Sequence, residues 1–152
     1  MARSAGAGLL AALVMLMILP GQTALAGEYR SVSKDGVNLR SGPSTEAEVL
    51  WEVFQGFPLE IVDRKGQWAQ AVDYEGDKAW IYLPLLSEAK TVIVKVAEAN
   101  LRVGPGANYE KVVTVKRNVI FSFLEKKGDW VRVKHASGVS GWISAPLVWP
   151  SH

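Results

Sequence analysis

The stretch "NLRSGP", Asn38 to Pro43, returns almost letter for letter as "NLRVGP", Asn100 to Pro105, 62 positions later (100 − 38). Sliding the whole chain by that offset places Glu48 on Glu110, Val53 on Val115, Lys65-Gly66 on Lys127-Gly128 and Trp68 on Trp130. Gly76 then falls on Gly138, Trp80-Ile81 on Trp142-Ile143 and Pro84-Leu85 on Pro146-Leu147, with no gap anywhere. A repeat of this length occurring only twice is a duplicated domain, since a solenoid needs three or more units to bury a continuous core. The motif recurs because something in the fold recurs.

Each copy reads as short strands. "LEIVDR" (Leu59 to Arg64) and "IFSFLEK" (Ile120 to Lys126) are rich in branched and aromatic residues, which suit a pleated, half-buried surface. In "WVRVKH", Val131 and Val133 alternate with Trp130, Arg132 and Lys134, the period of a strand with one buried face. Turn signals separate these runs: Arg64-Lys65-Gly66-Gln67, Tyr74-Glu75-Gly76-Asp77, Lys126-Lys127-Gly128-Asp129 and Ser137-Gly138. No sustained helical stripe follows the N-terminal segment. Four or five short strands in about 60 residues hide their apolar faces economically by curling into a small barrel, which also limits exposed edges. The expected fold is all-β, two tandem small barrels.

The N-terminus belongs to another category. One charge, Arg3, precedes an apolar run from Leu9 to Leu19, Pro20-Gly21 breaks any helix, and Ala24-Leu25-Ala26 supplies a small-x-small site. These are the three regions of a secretory signal peptide, with cleavage expected after Ala26. The apolar run is too short to span a bilayer, which takes about 20 residues. The predicted organisation is therefore 1–26 signal peptide, 27–88 first domain and 89–152 second domain. No stable membrane insertion is expected after cleavage. The chain has no Cys, so neither a disulfide framework nor a lipidated thiol is available. Export without disulfides suits a bacterial periplasmic or secreted protein, and the mature chain is expected to be a monomer.

The order of short motifs resembles the bacterial SH3-like (SH3b, SH3 type 3) domain. That family's pattern is an "N-x-R-x-G-P" opening, a mid-domain "G-x-W" and a closing "G-W-I/V". The second copy carries all three, and the first has Ala79 where the closing glycine belongs, so its last turn is less typical. The resemblance covers about Val32 to Val148. It implies SH3-like barrels and a role in recognising cell-wall peptidoglycan or an envelope protein, because such domains often accompany cell-wall hydrolases as targeting modules.

The residues assign roles within that frame. Leu39 and Leu101 point inward, while Asn38 and Arg40, like Asn100 and Arg102, share the opposite face. Gly42-Pro43 and Gly104-Pro105 bend the chain into a long loop, with proline fixing φ and glycine tolerating the geometry beside it. The Asn-Arg pairs are expected to tie that loop down through backbone carbonyls, a structural role. Trp80 and Trp142, beside inward Ile81 and Ile143, are expected to be packing residues. Trp68 and Trp130 lie out of phase with the apolar residues after them and should be partly exposed. Trp51, Trp149 and the loop residue Tyr109 have no counterpart in the other copy.

Eukaryotic SH3 domains bind polyproline helices in an aromatic-lined groove. The second copy places Ser144 and Leu147 where such lining would stand, so that function is rejected. No enzyme is expected, because there is no Cys nucleophile and the two histidines, His135 and His152, lack partners for nucleophilic or zinc chemistry. No cofactor and no metal is assigned. Asp73, Glu75 and Asp77 read as a solvated acidic turn in preference to a weak cation site.

Charge is divided unevenly. Glu28 to Ala89 holds six Lys/Arg against eleven Asp/Glu, net −5, whereas Lys90 to His152 holds ten against four, net +6. This asymmetry would favour docking of the two domains, head-to-tail contact between molecules, or an anionic partner such as the wall polymer or acidic lipid headgroups. Nucleic acid is not expected as a partner of an exported chain. The ligand-binding candidates are Trp130 with Arg132 and Lys134 beside it, then Tyr109 and Trp68. The second domain, with an aromatic beside two cations, is expected to dominate binding of a ligand that carries carboxylates. The competing expectation is a structural or adaptor protein that makes protein–protein contacts only and binds no glycan.

Overall fold

The computed structural model describes residues 27–152, so the expected signal peptide lies outside the described residues. Fourteen strands follow one another with only two single 3-10 turns between them. The first seven are β1 (Glu28–Val32), β2 (Val37–Arg40), β3 (Val49–Val53), β4 (Pro58–Lys65), β5 (Trp68–Val72), β6 (Lys78–Tyr82) and β7 (Leu86–Ser87). The next seven are β8 (Thr91–Val94), β9 (Glu98–Arg102), β10 (Lys111–Lys116), β11 (Ile120–Lys127), β12 (Trp130–Lys134), β13 (Ser140–Ser144) and β14 (Val148–Trp149). Adding 62 to the bounds of β4, β5, β6 and β7 reproduces those of β11, β12, β13 and β14. The sequence repeat is a structural repeat.

The strands form two antiparallel sheets of identical order, β3-β2-β6-β5-β4-β1-β7 and β10-β9-β13-β12-β11-β8-β14. Each sheet has seven strands where four or five were expected, and each remains open, with β3 and β7, or β10 and β14, as unpaired edges. Pairing does not close a barrel. The sheets nonetheless curl, because Val32, Val37, Leu39, Val53, Leu59, Ala71 and Ile81, from six strands, meet in one buried cluster. Val92, Leu101, Phe121, Val131, Val133 and Ile143 do the same in the second unit. Each unit thus buries its own core.

Register puts the outward residues where they act. In β12 the burial alternates, with Val131 and Val133 buried and Arg132 and Lys134 exposed. Gly66, Gly76, Gly128 and Gly138 occupy the left-handed region at the hairpin tips (φ +59°, +86°, +56° and +96°), a conformation glycine adopts without steric cost. Ala79 lies within β6 and not in a turn. Its counterpart Gly141 is the more constrained position, since a Cβ there would come within 2.7 Å of the Arg102 carbonyl oxygen.

Strand β8 shows how the units meet. All four of its residues are buried, whereas β1, its counterpart, buries only Ser31 and Val32. Ile93 is fully buried yet belongs to neither core cluster, because its outer face turns toward the first unit. Thr91 Oγ1 donates to the Gly56 carbonyl (2.6 Å), Ser31 Oγ to the Ala89 carbonyl (2.8 Å) and Tyr74 Oη to Asn118 Oδ1 (2.5 Å). The rings of Tyr29 and Trp149 meet edge to face at 5.5 Å. Among the described residues no ion pair crosses this joint. Hydroxyl-to-carbonyl bonds and apolar burial hold the units together, and the opposite net charges supply no direct contact.

Candidate functional site

The long loop after the repeated motif is built alike in both units. Ser41 N–H donates to the Glu48 carbonyl (2.9 Å) and Val103 N–H to the Glu110 carbonyl (3.0 Å), closing each loop at its base. Arg40 Nη1 reaches into the first loop and donates to the carbonyls of Thr45 (2.9 Å) and Ala47 (3.0 Å). Arg102 Nη1 donates to the Tyr109 carbonyl (2.9 Å), the position matching Ala47. Several N–H donors on one rigid guanidinium can satisfy a turn's carbonyls together, which a lysine ammonium does less well. The asparagines behave differently. Asn100 Oδ1 accepts from Thr114 Oγ1 of β10 (3.0 Å), and Asn38 lines a groove.

That groove lies in the first unit, between the loop and the outward face of β5 and β6, with a volume of about 660 Å³. Trp68 and Tyr82 form one wall, their centroids 5.6 Å apart, and Tyr82 Oη donates to Gln67 Oε1 (2.9 Å). Pro43 and Thr45 of the loop form the other wall, while Asn38, Arg40 and Lys34 supply polar and cationic groups at the rim. Trp68 and the motif residues, read separately from the sequence, are therefore brought together in one concavity. Tyr82 was missed by the sequence reading. The signal was available, since the offset pairs Tyr82 with Ser144. Ser144 and Leu147 speak against an aromatic-lined groove in the second unit only.

The second unit has different furniture at the same places. Tyr109 stands where the first unit has Ala47 and lies across the loop glycines. A Cβ on Gly104 would fall 2.3 Å from its ring, whereas one on Gly42 would meet only the Ala47 methyl at 3.5 Å. Gly104 is therefore needed for space, not for a positive φ. Trp130, Arg132 and Lys134 share the outward face of β12, and Arg132 is engaged by Glu125 of β11 at 2.8 Å. Trp142 pairs with both Arg132 and Arg102, and Lys127 Nζ lies 5.9 Å from its ring centroid. Although it faces away from Ile143, Trp142 is only 8% exposed. Cations roof this tryptophan. Trp80 is half-buried at the same place in the first unit.

The acidic turn is less solvated than expected. Asp73 is only 9% exposed, and its Oδ1 accepts the backbone N–H groups of Glu75 (2.9 Å) and Asp77 (3.0 Å). An aspartate capping its own turn in this way competes with water for the same donors. Burial pushes the Asp73 carboxyl above the usual range, the two N–H bonds pull it back, and the neighbouring Asp77 and Glu75 charges add to the rise. His135 caps the matching turn, its Nδ1 accepting the Ser137 N–H (3.1 Å). Among the described residues no three His, Cys, Asp or Glu side chains gather closely enough to hold a metal ion, and no helix is long and apolar enough to cross a membrane.

A model described as "Bacterial SH3 domain" matches residues 33–88 and again 95–150. The chain belongs to the bacterial SH3 domain family. It is similar to the putative N-acetylmuramoyl-L-alanine amidase YrvJ of Bacillus subtilis, with 27% identity over 137 residues, 83% of this chain and 26% of that protein. It is also similar to the probable cell wall amidase LytH of Staphylococcus epidermidis, with 33% identity over 61 residues, 39% of this chain and 21% of that protein. The chain thus spans about a quarter or less of the length of these curated relatives. Among solved structures, an NlpC/P60 family protein from Bacillus cereus is matched at 14% identity and TM-score 0.38, over 80% of this chain and 55% of that one. The NlpC2 structure from Trichomonas vaginalis is matched at 16% identity and TM-score 0.34, over 81% and 48%.

The expectation that no enzyme is involved is corrected by these relatives, whose names are those of cell-wall amidases. The physical reason is plain. An inventory of side chains excludes only the chemistry those side chains would perform, and it does not separate a domain from the catalytic function it serves.

Proposed function

We propose that this chain is the wall-recognition part of a cell-wall hydrolase. Its units, 27–88 and 89–152, act as two SH3-like barrels outside the cytoplasm, after export and removal of residues 1–26, and bind peptidoglycan. The observation that carries this reading is the Trp68–Tyr82 groove with Asn38, Lys34 and Arg40 at its rim. Aromatic faces suit sugar rings and peptide planes, and cations at the rim suit the carboxylates of a wall peptide. The Trp130–Arg132–Lys134 face supplies a second, weaker contact, because Glu125 already engages Arg132. Sedimentation with purified, protein-free sacculi tests this. The wild-type chain should co-sediment, Trp68→Ala with Tyr82→Ala should not, and Trp130→Ala with Arg132→Ala should bind less than wild type. Added salt should weaken the complex, since exposed charges are screened within about 8 Å at physiological ionic strength. No co-sedimentation of the wild type would reject the reading.

A second reading has its own observation. Val49 and Leu50 on the edge strand β3, and Val112 and Val113 on the edge strand β10, are about two-fifths exposed. Apolar edge strands accept an added strand from another protein, which favours an adaptor that touches protein and no glycan. Binding to an envelope protein with none to sacculi would select it.

A further inference from the structure

The first unit differs from the second in a set of residues that gather on one face. Under the offset, Trp51, Phe54, Tyr74, Glu75 and Asp77 correspond to Val113, Lys116, Ala136, Ser137 and Val139. The second unit folds to the same strand order without them, so the fold does not require them. All five line the cleft facing the second unit, opposite Ile93, Asn118 and Ile120. Phe54 is 61% exposed, a large apolar ring left at the rim.

The cleft is built as a site. A cavity of about 330 Å³ holds the aromatic and acidic residues. It shares Phe54, Asn118 and Ile120 with a trough of about 570 Å³ whose lining includes Ser31, Thr91 and His135. Asp73 is nine-tenths buried on the cavity wall. Its Oδ1 serves the turn, while Oδ2 makes no hydrogen bond among the described residues and is open to solvent. Glu52, Glu75 and Asp77 add three more carboxylates, and Arg117, beside Tyr74, is a cation close by, for a formal local charge of −3 (−4 + 1). The three inter-unit hydrogen bonds hold both walls in place, so a ligand would not have to assemble them.

We propose that this cleft is a second binding site, for an extended peptide segment bearing a primary amine, with its ammonium group seated against Trp51, Phe54 and the carboxylates of the Asp73–Asp77 turn. Aromatic faces and carboxylates together select a cation over a neutral group. The trough then accepts the backbone through the hydroxyl and carbonyl groups along the joint. The cleft is a separate surface from the Trp68 groove and stands whether or not that groove binds peptidoglycan.

The test uses the full mature chain and two probes, the blocked pentapeptide acetyl-Gly-Gly-Lys-Gly-Gly-amide and the same peptide with an acetylated lysine side chain. Residue-resolved NMR titration should show shifts at Phe54, Glu75, Asn118 and Ile120 and at the Trp51 indole with the first probe. The acetylated probe should bind about tenfold or more weakly, which is about 1.4 kcal/mol. Phe54→Ala and Glu75→Gln, both at exposed positions, should each weaken the lysine probe at least threefold without unfolding the chain. Equal binding of the two probes, or no shifts in the cleft at millimolar peptide, would overturn the proposal. Shifts confined to Trp68 and Tyr82 would also overturn it while leaving the groove reading intact.

Discussion

The two units share a fold and differ in what they leave open. At the matching position of the long loop the first has Ala47 and the second Tyr109, and at the end of the sixth strand the first has Tyr82 and the second Ser144. Each exchange moves one aromatic ring. In the first unit the ring stands beside Trp68 and makes a wall, and the small loop residue leaves the groove empty. In the second unit the ring lies over Gly104 on the loop itself. Duplication preserves the strands and the arginine brace, while single rings change place between the copies.

Exchanging the rings should have the largest effect. Ala47→Tyr should place a ring across Gly42 as Tyr109 lies across Gly104, and should reduce binding to sacculi by about tenfold or more, roughly 1.4 kcal/mol. Tyr109→Ala should leave that binding within about twofold of wild type, on the same scale. A loss from Tyr109→Ala that matched the loss from Ala47→Tyr would place the contact on the loops and not in the groove.

The turn caps come next. Asp73→Ala removes the acceptor of two backbone N–H groups and should cost about 1–3 kcal/mol in denaturant unfolding. His135→Ala removes the acceptor of one N–H and should cost less. Equal costs would mean that the caps are interchangeable despite their different burial.

The arginine braces should follow the number of bonds they make. Arg40→Ala loses two hydrogen bonds to carbonyls and Arg102→Ala loses one, so their costs should be about 2 and about 1 kcal/mol. Unchanged melting together with lost sacculus binding in both variants would leave these arginines a role at the ligand surface alone.

The smallest expected effect is the pH dependence that Asp73 contributes in the first unit. Burial raises the folded-state pKa of Asp73 above its unfolded value. Protonation therefore stabilises the fold below the unfolded pKa, and that contribution is lost as pH rises through the folded pKa. Asp73→Asn keeps the Oδ1 acceptor and removes the titration, so its stability relative to wild type should increase from pH 3 to pH 7. An NMR titration placing the Asp73 midpoint at or below 3.8 would contradict this.

Much of the architecture was legible in the sequence because β-strands announce themselves locally. The alternation in "WVRVKH" became β12, the run "LEIVDR" lies within β4, and the glycines of the four turns sit at hairpin tips. The strands that escaped notice included the shortest. Leu86–Ser87 and Val148–Trp149 have two residues each, too few for a period to show. Within the candidate site, Trp68, Asn38, Arg40 and Pro43 were each marked by the repeat, but as separate features with separate roles. The solvated reading of the acidic turn went astray at Asp73, since nothing local distinguishes an inward carboxylate capping its turn from two outward neighbours.

By itself the sequence determined that this is a duplicated, all-β chain with one core per copy, because strand period, turn glycines and the ungapped offset are properties of neighbouring residues. The tertiary structure decided how those copies pack and which surfaces they leave open. Pairing order left the sheets open at β3 and β10. Docking buried both faces of β8 and made a cleft from residues 40 and more positions apart, such as Tyr74 and Asn118. Whether an aromatic ring walls a groove or lies over a loop depends on which side chains stand opposite it. That neighbourhood exists only once the chain has folded.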